Sequence, residues 1–122
     1  MKLLYAHDHK FRYDGSDYYS GGSFSNNILK RYFSVFGPFQ LVARCVPMDQ
    51  SADRLSKVDQ SMVEILPIQH NKDRLHTLVQ QSDCVICRLP SFIGNKCVSL
   101  AKKYNKPYLI ELVDQLGLYK YL

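Results

Sequence analysis

With 122 residues and a formal net charge of +5, the chain has room for one domain, spanning 1–122, and not for two. Its 46% hydrophobic and 22% charged residues exclude disorder and collagen-like sequence. No apolar run approaches the roughly 18 residues that a membrane-spanning helix needs, while a chain of this size buries about two-thirds of its unfolded surface, enough for a core.

Lys2 to His7 is a short apolar run at the N-terminus, as expected of a central strand covered on both faces. It is cut short by His7, Asp8 and His9, so it does not read as a signal peptide, and a cytoplasmic location is the default. His9 to Ser23 then reads as a long polar loop bearing Gly15, Gly21 and Gly22. Ile28, Leu29, Tyr32, Phe33 and Phe36 recur at helical spacing, with Lys30, Arg31 and Ser34 on the other side; Ser25 or Asn26 is the expected cap and Gly37-Pro38 the stop. Phe39 to Val46 alternates and is rich in strand formers, whereas Met48 to Gln60 is polar without a period and fits a short helix or an exposed loop. Met62 to Leu66 is a strand candidate closed by Pro67. Asn71 is placed to cap a helix that turns Leu75, Leu78 and Val79 inward. Cys84 to Leu89 reads as a buried strand. Ser91 then caps a helix facing the core through Ile93, Cys97, Val98, Ala101 and Tyr104, and Tyr108 to Val113 is a last apolar strand. Strands alternating with helices imply a parallel sheet with helices on both faces, a Rossmann-like α/β arrangement. Ligands bind such sheets beyond the carboxyl ends of the strands, where the strand order reverses.

Those ends carry the candidate chemistry. Gly21-Gly22, just before a helix N-terminus, lets the backbone approach an anion, although neither G-x-G-x-x-G nor a Walker-type phosphate loop is present. Arg88 closes the fourth main strand and points toward the expected crevice, where it would pair with phosphate or carboxylate; a surface salt bridge is the plainer alternative. His7 and His9 share a strand face, but no third ligand of the right type stands nearby, and a hydrogen-bonding or basic role for one of them outweighs a metal site. Glu111 and Asp114 fall on opposite faces while the last strand continues, which leaves Asp114, past its end, as the better site candidate. Cys84 and Cys87 spell C-x-x-C, yet residues three apart on a strand point to opposite sides, so structural thiols are expected. The basic residues, among them Lys10, Arg12, Lys30, Arg31, Lys96, Lys102, Lys103 and Lys106, are dispersed. They form no polybasic run for nucleic acid and read as a solvated surface, or as a positive face toward anionic lipid or a phosphorylated ligand.

Three stretches taken together carry a resemblance: 20–33 (SGGSFSNNILKRYF), Cys87-Arg88-Leu89-Pro90-Ser91 through Gly94, and 101–113 (AKKYNKPYLIELV). Their order and spacing resemble the N-terminal half of bacterial glycosyltransferases of the group 1 type, also called family 4. These have the GT-B architecture of two Rossmann-like domains facing across a cleft. The resemblance implies an acceptor-side domain of an enzyme that moves a hexosyl group from a nucleotide-sugar to a glycan or lipid-linked acceptor in polysaccharide synthesis. It implies no metal and no cofactor, and contact with the inner face of the membrane is compatible with it. Carried over residue by residue, Gly21, Gly22 and Ser23 would approach the donor phosphates, Arg88 and Ser91 would face the cleft, and His9 or Asp114 would orient the acceptor hydroxyl. A donor-binding C-terminal lobe is missing from these 122 residues, so the chain alone is expected not to be active; a fragment, a truncated product and one half of a split enzyme all fit. The alternative from another class is a non-catalytic module that docks a partner chain through the crevice or through the apolar residues Leu116, Leu118, Tyr119, Tyr121 and Leu122.

Overall fold

The computed structural model describes residues 1–21, 24–49 and 54–112. In chain order the elements are β1 (Leu3–Tyr13), β2 (Tyr18–Ser20), α1 (Asn26–Phe36), β3 (Phe39–Pro47), β4 (Ser56–Lys57), β5 (Val63–Pro67), α2 (Leu75–Gln81), β6 (Cys84–Leu89), α3 (Phe92–Lys103) and β7 (Tyr108–Leu112), with 3-10 turns at Ile68–His70 and Lys72–Arg74. Five strands run parallel in the order β5-β3-β1-β6-β7, and β2 and β4 extend the sheet antiparallel beside the far half of β1. Numbered among themselves, the parallel strands lie 3-2-1-4-5, so the order reverses between β1 and β6. This is the mostly parallel, Rossmann-like α/β sheet that the alternating pattern implies.

Both faces are covered because β1 is apolar on both. Leu3, Tyr5 and Phe11 enter one cluster with Leu29 of α1, Leu41 and Val63. Leu4 and Ala6 enter a second with Leu75, Leu78 and Val79 of α2 and Cys97, Leu100 and Ala101 of α3. The stripe on α1 explains its docking: Leu29 is buried and Ile28, Tyr32, Phe33 and Phe36 pack on the first cluster, while Lys30 and Arg31 face solvent. Ser25 begins this helix through its carbonyl, which accepts from the N–H groups of Ile28 and Leu29. Gly37 ends it at φ +73°, a conformation that strains other residues. Ser91 caps α3 as expected, its hydroxyl accepting the Gly94 N–H at 2.7 Å. Cys84 packs toward the first cluster and Cys87 lies in the second, on the opposite face, and both are free thiols. Burial pushes the Cys87 thiol up to about 12.

Three expectations need correction. The segment from His9 onward is largely strand, since β1 continues to Tyr13 and returns as β2, with Arg12 opposite Tyr19 and Tyr13 opposite Tyr18. The turn between them is held by the Asp14 carboxylate, which accepts from the N–H groups of Ser16 and Asp17. Asn71 does not cap a helix: its side-chain amide donates back to the Pro67 carbonyl at 2.6 Å, and two 3-10 turns precede α2. The described part of Met48 to Gln60 contributes the short strand β4 rather than an α-helix.

Candidate functional site at the reversal of strand order

β1 and β6 pair only from Leu3–Cys84 to Ala6–Cys87. Beyond Ala6, β1 stays with β3 and passes through an irregularity before pairing resumes at Lys10–Arg44. Within that stretch the His9 N–H donates to His7 Nδ1 at 3.2 Å, so a side chain supplies the acceptor that the ladder lacks. The separation of the two strands opens a crevice at their carboxyl ends, where a sheet of this order binds ligands.

Phe24 is the centre of its wall. Its ring lies 5.8 Å from that of His7, 5.0 Å from His9 and 5.7 Å from Tyr5, and the Arg88 guanidinium stands 5.2 Å over its face. The Arg88 side chain makes this cation–π contact and, among the described residues, no hydrogen bond or ion pair. The salt-bridge alternative for Arg88 therefore finds no partner among the described residues.

His9 is tied to Ser20 (Nε2 to Oγ, 2.7 Å), and Ser20 donates its single hydroxyl hydrogen to the Phe24 carbonyl. The Ser20 oxygen must then accept from His9 Nε2–H, which leaves Nδ1 of His9 as the lone-pair nitrogen. Burial, with His7 and Arg88 adding to it, lowers His9 to about 4; burial and Arg88 lower His7 to about 4. Both rings are neutral at pH 7. At that basicity His9 is suited to accepting a hydrogen bond from a ligand hydroxyl more than to removing its proton.

Across the crevice, the Glu111 carboxylate receives the Tyr5 hydroxyl on Oε1 at 2.6 Å and the Tyr32 hydroxyl on Oε2. These bonds tie β7 to β1 and α1 together. Burial first, then the bond to Glu111, raises both phenols, Tyr32 to about 12, so both remain donors. Ile28, Arg31, Tyr32, Arg88, Glu111 and Leu112 enclose a cavity of about 340 Å³ with two guanidinium groups and one carboxylate. Such a lining suits a ligand that carries both an anionic group and hydroxyls.

Of the expected site residues, the structure brings His9 and Arg88 together around Phe24. Gly21 lies against the β4 approach: a Cβ there would stand 2.8 Å from the Leu55 side chain, so close packing explains that glycine. Ser91 lies on the other face, its hydroxyl occupied by the α3 cap. Asp8 sits beside it and accepts from the N–H groups of Phe92 and Ile93 at 2.8 and 2.9 Å, filling the helix terminus with its own carboxylate. Gly22, Ser23 and Asp114 lie outside the described residues. Glu111, set aside in favour of Asp114, is in the crevice, and so are Tyr5, Tyr32 and Phe24. The signal for Glu111 was its charge in an otherwise apolar strand, Tyr108–Leu112, because a carboxylate in such a place calls for donors. No group of three or more metal-ligating side chains occurs among the described residues, and no helix among them is long and apolar enough to cross a membrane.

Fold and crevice together define a doubly wound α/β domain with a polar cavity where its strand order reverses. Among curated proteins the chain is similar to Protein CapJ of Staphylococcus aureus, with 30% identity over 126 residues that cover 93% of this chain and 32% of that protein. The chain thus spans about a third of the length of the curated relative it matches. Neither a family model nor a solved structure matches it.

Proposed function

We propose that the chain is the acceptor-side lobe of a glycosyltransferase of capsular polysaccharide synthesis, taking a hexosyl group from a nucleotide-sugar to a glycan or lipid-linked acceptor. The observation that carries this reading is the Arg88 guanidinium, held over Phe24 at the strand-order reversal without a carboxylate partner among the described residues. It offers a forked set of donors to phosphate. The similarity to Protein CapJ along nearly the whole chain supports the polysaccharide part of the reading. Glu111 would accept sugar hydroxyls, His9 would orient the acceptor hydroxyl through Nδ1, and Asp114 would share that task. Gly21, Gly22 and Ser23 would approach the donor phosphates through their backbone. Stabilisation of the departing diphosphate would be the main catalytic term, supplied by Arg88 and by a second, donor-binding lobe.

The test is calorimetric titration of the longest native gene product with uridine diphosphate sugars, beside an Arg88→Gln variant. A lost charge-assisted pair is worth ~1.5–3 kcal/mol, so binding should weaken about tenfold or more. Equal affinity of the two proteins would remove Arg88 from the donor site, and no binding by either would sink the transferase reading.

A second reading, a partner-docking module without catalysis, draws on β7. Among the described residues this is an edge strand, and it leaves Leu109, Ile110 and Leu112 at 57%, 43% and 64% exposure. Association with a second chain in the absence of nucleotide affinity would favour it.

A further inference from the structure

A second cavity opens beyond the carboxyl ends of β1, β3 and β5, on the far side of β1 from β6. Its volume is about 450 Å³, and Tyr13, Tyr18, Cys45, Val46, Pro47, Pro67, Gln69 and His70 line it. Tyr13 and Tyr18 face each other across the β1–β2 hairpin with ring centroids 4.6 Å apart. The lining differs from that of the Arg88 crevice in one decisive way: among the described residues it includes no carboxylate, guanidinium or ammonium group.

From this we infer that the cavity is a binding site for a neutral pyranose ring. Two tyrosine rings, two prolines and Val46 form an apolar floor and walls, which suit the C–H face of a sugar. Polar groups stand at the margin. Gln69 spends its amide N–H on the Cys45 carbonyl at 2.9 Å, and its carbonyl oxygen keeps no partner among the described residues. The Tyr18 hydroxyl and the His70 ring likewise form no hydrogen bond within the described chain, whereas the Tyr13 hydroxyl is taken by the Gly15 carbonyl. An acceptor, a hydroxyl and an imidazole around an apolar floor match a ring of hydroxyls on a hydrocarbon frame. A phosphate would find no guanidinium or ammonium among the described residues of this lining. A planar base could not enter between Tyr13 and Tyr18, whose rings are already in contact, tilted at 32° with centroids 4.6 Å apart.

The inference deepens the transferase reading by giving the acceptor glycan a second place to rest, but the site itself is independent of any reaction. The test is an amide-resolved NMR titration of the 15N-labelled chain with methyl glucoside, methyl galactoside and methyl N-acetylglucosaminide, and separately with uridine and inorganic phosphate. At least one pyranoside should shift resonances of Tyr13, Tyr18, Gln69 and His70 while those of Arg88 and Glu111 stay put. Tyr13→Ala, which removes a partly exposed ring, should weaken that binding about fivefold or more. Gln69→Ala, on the exposed 3-10 turn, should weaken it without touching the core. Saturation by uridine or phosphate but by no pyranoside would overturn the inference, as would shifts confined to Arg88 and Glu111 or no shift at all. Pyranoside binding here, with no nucleotide-sugar binding at Arg88, would keep this site and discard the transferase reading.

Discussion

The bridge from Glu111 to two phenols makes a quantitative claim about stability. Tyr5 is fully buried, and its hydroxyl reaches Glu111 as its described acceptor; Tyr32 is half-buried. Truncating Glu111→Ala removes two hydrogen bonds to a carboxylate. The buried Tyr5 hydroxyl is then left with the neighbouring Tyr32 hydroxyl as its acceptor in place of a carboxylate, and water can reach Tyr32. Hydrogen bonds to a charged group are worth about 1.5–3 kcal/mol each, part of which the Tyr5–Tyr32 contact returns, so the total loss should be ~2–3 kcal/mol. At this chain length that lowers the midpoint of thermal unfolding by roughly 8–12 °C. Tyr5→Phe alone should cost ~1 kcal/mol. In the double variant the Tyr5–Glu111 bond is lost only once, so its loss should fall about 1 kcal/mol short of the sum of the single losses. Urea denaturation of the four proteins measures the cycle. Additivity within ~0.3 kcal/mol would show that the two residues do not act as a pair and would refute the geometry from which the crevice was built.

Other consequences are simpler to state. Since His7 and His9 are lowered from 6.5 to about 4 in the fold, the unfolded chain binds more protons between those values; stability is full above about pH 6.5 and declines as pH falls toward 4. A shift of that size is worth up to ~3 kcal/mol per ring at full strength, and about half that once water access to the rings is allowed for, which unfolding curves at pH 7 and pH 4.5 will register. Asp8→Ala removes the acceptor for the Phe92 and Ile93 N–H groups at the start of α3 and should cost about 1–2 kcal/mol in denaturant unfolding, with Asp8→Asn in between. Gly94→Ala should cost ~2 kcal/mol or more, since its Cβ would stand 2.8 Å from the Arg88 carbonyl and 2.6 Å from Ser91 Oγ. Gly21→Ala should cost clearly less, because the Leu55 side chain it meets can turn aside; equal losses in thermal melts would contradict the packing described.

The elements with a strong period were legible in the sequence. The stripe on α1, the two-sided apolar run of Leu3–Ala6, the Ser91 cap and the opposed cysteines all follow from residue spacing, and together they lead to the parallel sheet. The misreading of His9 to Ser23 has a physical origin. Glycines, charges and tyrosines there resemble a loop by composition, but His7, His9 and Phe11 share one side of β1, and that period of two was the better guide. Asn71 misled because an asparagine amide serves a carbonyl behind it as readily as a helix ahead of it. In the site, Arg88 and His9 were visible as polar groups at strand ends. Phe24, Tyr5 and Glu111 were not, since their roles depend on contacts between elements up to 106 residues apart in sequence.

β1 explains why the crevice lies where it does. A central strand that ended with its neighbours would leave a flat edge, but this one leaves β6 after Ala6 and follows β3 to Tyr13. Each face of the extension then has its own task. The side bearing His7, His9 and Phe11 meets Phe24 and, through it, Arg88, while Asp8, pointing the other way, holds the first turn of α3. The same strand end therefore shapes the polar cavity and anchors the helix that follows Arg88. A perturbation at Asp8 should reach Arg88 through the β6–α3 connection, because the Arg88 carbonyl already lies against Gly94 in the first turn of that helix. Helix α3 meets the polar crevice through both β1 and the β6–α3 connection, so the proposed affinity for a uridine diphosphate sugar at Arg88, read by calorimetric titration, should fall in Asp8→Ala even though Asp8 lines another part of the surface.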